Sequence, residues 1–91
     1  MYRVLFEESV AENIRDAYEW YKSKQVGLRN AFLNSITGSV KLMEKNPTYY
    51  SFIYGNKRRI ITKQFPYKII FEIFGNEIFV SGVFHFKQNS K

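Results

Sequence analysis

Tyr67-Lys68-Ile69-Ile70-Phe71-Glu72-Ile73-Phe74-Gly75-Asn76-Glu77-Ile78-Phe79-Val80-Ser81-Gly82-Val83-Phe84-His85-Phe86 decides the fold. Two runs rich in Ile, Phe and Val flank a Gly75-Asn76 pair, the chemistry of a two-residue β-hairpin turn. If Phe74 faces Glu77, then Ile73 faces Ile78, Phe71 faces Val80, Ile69 faces Gly82 and Tyr67 faces Phe84, because cross-strand partners share a face. That face carries no charge and is predicted to lie on the core. The opposite face carries Lys68, Ile70, Glu72, Phe74, Glu77, Phe79, Ser81, Val83 and His85, half polar and half apolar, and is the candidate working face.

Working outward, Lys57 to Lys63 forms a third strand. A two-residue turn at Gln64-Phe65 would set Lys63 opposite Pro66, Ile61 opposite Lys68 and Arg59 opposite Ile70. Arg59 and Lys63 would then join His85; a three-residue turn could change the pairing, and Arg58 could then take that position. Pro66 to Phe74 and Glu77 to Phe86 complete the hairpin, and Tyr49 to Tyr54 is strand or ordered loop. Upstream, Tyr2 to Phe6 reads as a short strand. Ser9 is an expected N-cap with Glu12 closing a capping box. Val10, Ile14, Ala17, Tyr18 and Tyr21 then fall at helical spacing, Trp20 lies off that stripe, and Gly27 can end the helix. Leu28, Ala31, Phe32, Ser35, Ile36, Ser39, Val40 and Met43 line a second helix that Asn46-Pro47 stops. So short a connection makes the helices an antiparallel hairpin. Small residues at Ser35, Gly38 and Ser39 would admit a close neighbour.

The 91 residues make one domain, 45% hydrophobic and 19% aromatic, enough for one core. Cysteine is absent, so there is no disulfide or thiolate metal site. A single histidine cannot supply a transition-metal shell, and no Gly-rich phosphate loop occurs, so no metal or other cofactor is expected. The N-terminus has too short an apolar run for a signal peptide, and no run of about 18 apolar residues could span a bilayer. The expected location is the cytoplasm, without a membrane partner. A net charge of +6 favours polyanionic or acidic partners. The one chemistry on offer is phosphate handling. Arg59, Lys63, Lys68 and Lys87 could supply charge while His85 or Glu72 exchanges protons. The plainer alternative is that His85 is a strand-end residue bonded to its neighbours.

Three segments carry a resemblance. They are Asp16-Ala17-Tyr18-Glu19-Trp20-Tyr21; Gly27-Leu28 with Phe32, followed by Asn46-Pro47 and Tyr49; and Lys57-Arg58-Arg59-Ile60-Ile61-Thr62-Lys63-Gln64-Phe65-Pro66-Tyr67-Lys68-Ile69-Ile70-Phe71-Glu72-Ile73. With His85 near the chain end, their order resembles the RelE/ParE toxin superfamily over nearly the whole chain. The resemblance implies an α+β fold, with an N-terminal strand and an antiparallel helical hairpin packed on a small twisted antiparallel sheet. It implies one toxin domain over residues 1–91, half of a type II toxin–antitoxin pair that inhibits growth and stabilises plasmids. An acidic antitoxin would hold it in check. RelE-like members cut mRNA on the ribosome; ParE-like members poison DNA gyrase. Phe86 stands where some nucleases place a tyrosine, and a phenyl ring neither donates a proton nor binds phosphate. Lys87 stands where ParE-like chains often carry an arginine. The resemblance thus favours a non-enzymatic, ParE-like toxin. Its alternatives are an endoribonuclease using Arg59, Lys63 and His85, and an inactive member that only binds an antitoxin. Trp20, Arg58, Arg59, Lys68, Phe79 and Lys87 are the expected contacts for antitoxin or target.

Overall fold

The computed structural model describes residues 2–62 and 64–85. Its elements are β1 (Arg3–Phe6), α1 (Glu8–Lys22), α2 (Leu28–Lys45), a 3-10 turn (Pro47–Tyr49), β2 (Phe52–Tyr54), β3 (Lys57–Ile61), β4 (Tyr67–Phe74) and β5 (Glu77–His85). The strands form one five-stranded sheet in the order β1-β5-β4-β3-β2. From β2 to β5 each pair is antiparallel. The sheet is mixed overall, because β1 joins β5 in parallel, Arg3 beside Glu77 and Phe6 beside Val80. A parallel neighbour needs a long crossover, and everything from α1 to β4 supplies it.

The helical stripes behave as their spacing requires. Val10 and Tyr21 of α1, with Phe32, Ile36 and Met43 of α2, are buried against Ile60, Ile69, Phe71, Ile78, Val80 and Val83 of the sheet. Helix α1 lies on β5, while α2 touches β1 and β3. Aromatic rings tie the helices to the turn before β4. Tyr21 and Phe32 sit 5.1 Å apart, each packs on Phe65, and Phe32 also meets Tyr67 at 5.2 Å. Of the aromatic residues, Tyr21, Phe32 and Phe71 are buried in the core, while Phe6, Trp20, Tyr49, Phe52, Tyr54 and Phe74 are exposed.

Two helix boundaries differ from expectation. Glu7, not Ser9, caps α1, and no side-chain capping bond forms. The Glu7 N–H bonds to the Val80 carbonyl at 3.0 Å, so the sheet fixes the helix start and Ser9 falls inside the helix. At the other end α1 stops at Lys22; Gly27, at φ 86°, is instead the residue from which α2 departs. That left-handed conformation is costly for any residue with a Cβ.

The hairpin register holds only in part. Phe74 opposes Glu77, Ile73 opposes Ile78 and Phe71 opposes Val80, but Ile70 then faces Gly82, Ile69 faces Val83 and Tyr67 faces His85. Ser81 is the extra residue of a β-bulge, and each residue beyond it changes face. Val83 becomes core at 5% exposure. His85 moves to the helix side, with its ring 5.2 Å from that of Tyr67. The predicted placement of Val83 and His85 on the open face is thereby overturned. On the other side of β4, Ile61 faces Lys68 and Arg59 faces Ile70, as the two-residue turn predicts.

Candidate partner-binding surfaces

Three surfaces remain once the core is closed. The first is a cleft of about 1020 Å³ between α1 and the ends of β4 and β5. Asn13, Asp16, Ala17 and Trp20 face it from successive turns of α1, joined by Tyr21 of the same helix, with Tyr67, Val83, Phe84 and His85 from the strands. Spacings of three and four residues put that quartet on one helical face. Tyr67 is fixed in the wall by the turn before it: its N–H donates to the Thr62 hydroxyl at 3.2 Å, and the hydroxyl donates to the Phe65 carbonyl. Burial and then a hydrogen bond with Tyr21 push the Tyr67 phenol well above its ordinary value of 10. It is neutral at physiological pH.

The second surface is a groove of about 720 Å³ between α2, the 3-10 turn and β3, lined by residues including Ser35, Gly38, Leu42, Tyr49, Tyr50 and Ile61. A Cβ added at Gly38 would meet nothing within 4 Å. Gly38 therefore leaves space open in the groove and does not mark the close approach expected there. Strand β2 pairs with β3 only at Lys57 and Arg58. Among the described residues, Arg59 to Ile61 thus have β4 on one side and an unpaired edge on the other.

The third is the sheet face turned away from the helices. Lys57 and Glu72 pair there at 3.0 Å, and Arg3 pairs with Glu77 at 2.6 Å. Arg59, Lys68 and Phe79 share this face with Leu5, Ile61 and Phe74. The Phe84 ring lies across Gly82, so close that a Cβ would fall 2.5 Å from it. Ile70, the register partner of Gly82, is only 6% exposed although no helix covers it.

The expected site residues divide among these surfaces. Trp20 is 56% exposed on the cleft rim. Arg58 is a structural anchor whose guanidinium donates to the Tyr50 carbonyl at 2.6 Å and the Thr48 carbonyl at 3.3 Å, and lies 3.9 Å over the Phe52 ring. Arg59 is the exposed one of the pair, on the outer face. Arg59 and His85 therefore occupy opposite faces with β4 between their strands, and the expected trio of Arg59, Lys63 and His85 is not assembled by these two. Lys63, Phe86 and Lys87 lie outside the described residues. Among the described residues no group of His, Cys, Asp or Glu could hold a metal, and no helix is long and apolar enough to cross a membrane.

No family model matches the sequence, and no curated protein matches it. Among solved structures, a chain of the chromosomal ParDE TA system from P. aeruginosa superposes with a TM-score of 0.75 at 15% identity, covering 93% of this chain and 96% of that one. A chain of the intact E. coli RelBE toxin–antitoxin complex superposes with a TM-score of 0.61 at 11% identity, covering 91% and 94%. The chain has the RelE/ParE fold.

On this RelE/ParE fold Asp16 and Asn13 in the cleft were not among the expected site residues. Two signals were available. Asn13, Asp16 and Trp20 recur at helical spacing beside the apolar stripe. Gly82 in the middle of a strand is a common mark of a bulge or a close approach, and here it accompanies both.

Proposed function

We propose that this RelE/ParE-fold chain is the toxin of a type II toxin–antitoxin pair, that an acidic antitoxin neutralises it, and that it acts as a ParE-like poison of DNA gyrase. The observation that carries the reading is the match to a chain of a ParDE system over nearly the full length of both chains. The groove supports the antitoxin half. An extended segment can add to the free edge of β3 through main-chain hydrogen bonds while its apolar side chains enter beside Leu42 and Tyr49. The charge of +6 draws an acidic partner in.

The separation of Arg59 from His85 favours a binding poison over a nuclease. RNA cleavage needs the proton-transferring group and the phosphate-neutralising cation around one phosphate. The bulge at Ser81 puts these two on opposite sides of the sheet.

The test is expression in growing bacteria, alone and together with the product of the neighbouring reading frame, which the proposal expects to be a small acidic protein. The expected result is growth arrest with gyrase trapped on broken DNA, relieved by the acidic protein, which copurifies with the chain. Unimpaired growth and no copurifying complex would overturn the proposal.

A further inference from the structure

The aromatic cleft has a chemistry that the toxin reading does not use. We infer that it is a receptor for a guanidinium group, the side chain of an arginine carried by a partner protein. The inference stands on the cleft alone. Its walls include the rings of Trp20, Tyr21, Tyr67 and His85, and Asp16 is the one carboxylate among its described lining residues. Among the described residues Asp16 makes no ion pair, whereas Glu72 and Glu77 on the far face are each paired. A carboxylate one helical turn from an exposed indole offers both things a guanidinium binds. The oxygens accept its N–H groups in plane, and the ring face receives its cation.

The same chemistry already operates within this molecule. Lys24 Nζ lies 4.8 Å from the Trp20 ring centroid, so an arriving guanidinium displaces it or takes the other face of the indole, and the guanidinium of Arg29 lies 5.8 Å from the Tyr18 ring centroid. A phosphate-bearing ligand fits poorly, because no lysine or arginine is among the described lining residues and Asp16 would repel it. Tyr67 is a neutral phenol at physiological pH, as tyrosines ordinarily are, which leaves Asp16 as the negative charge among the described lining residues. About 1020 Å³ exceeds the needs of one side chain and leaves room for the backbone that carries it. The molecule's overall positive charge repels a free cation at long range, so the arginine must arrive on a partner whose own surroundings offset that repulsion.

Trp20 is the single tryptophan of the chain, so its fluorescence and indole N–H resonance report on this cleft directly. The probe is N-acetyl-arginine amide, titrated into the full chain to its solubility limit, beside N-acetyl-citrulline amide of the same shape without the charge. The expected result is a saturable change at Trp20 for the arginine derivative, at least tenfold weaker for citrulline and at least tenfold weaker in an Asp16→Asn variant. Equal responses to the two derivatives, or no saturable response, would overturn the inference. So would an unchanged response in a folded Asp16→Asn protein. Should that variant fail to fold, the comparison of arginine with citrulline on the unaltered chain still decides.

Discussion

Adjacent arginines on one strand do unrelated work here, because a strand turns successive side chains to opposite faces. Arg58 reaches two backbone carbonyls in and just after the 3-10 turn and the phenyl ring of Phe52 in β2. Bonds from a charged donor are among the stronger ones, so Arg58→Ala is expected to cost about 2–3 kcal/mol. Arg59→Ala should stay within about 0.5 kcal/mol, as exposed substitutions do. Urea unfolding of the two variants reads the contrast; equal losses would refute the assignment of Arg58 as anchor. The Tyr67 phenol gives a second expectation. Its proton is held more tightly in the fold than in the unfolded chain. Its contribution is therefore complete below pH 10 and fades as pH rises beyond it. Tyr67→Phe should flatten the alkaline loss of stability, measured as Tm against pH. A variant as steeply alkali-sensitive as the original chain would contradict this.

At the scale of elements, the β4–β5 hairpin shows how far sequence reaches. Gly75-Asn76 fixes the turn, and alternation from there places Ile73, Phe71, Ile78 and Val80 correctly in the core. Counting alternation cannot foresee an inserted residue, and Ser81 carries nothing in its own chemistry that announces a bulge. One unpaired residue was enough to move His85 from the open face to the helix side. The helices were legible for a similar reason: Val10, Tyr21, Phe32, Ile36 and Met43 repeat at a period that nothing interrupts. Their ends were not, since the α1 start is set by a bond from Glu7 to a strand distant in sequence. Only the α1 wall of the cleft, Asn13, Asp16 and Trp20, was marked by spacing, because the rest of its lining comes from β4 and β5.

Two expectations belong to this scale. Gly82→Val must displace the Phe84 ring and should cost about 1–3 kcal/mol, as overpacking does; urea unfolding measures it, and a variant of unaltered stability would show that the ring does not rest there. Leu42, 49% exposed in the groove, can change without cost to the core. Leu42→Glu is expected to weaken binding of the proposed antitoxin at least tenfold by calorimetric titration while leaving Tm in place. Unchanged affinity would remove the groove from the interface.

For the whole molecule, the charge of +6 and the division of the sheet into a core face and an open face govern behaviour together. Association with an acidic partner should slow as salt rises, because screening shortens the reach of the attraction. The same division holds Arg59 away from His85, and on it the choice between poison and nuclease turns. The most direct measurement exposes the purified chain in parallel to gyrase with supercoiled DNA and to translating ribosomes with mRNA. Trapped double-strand breaks with intact mRNA are the result expected of a molecule whose arginine and histidine point apart. Discrete mRNA cuts that vanish in both Arg59→Ala and His85→Ala variants would contradict it.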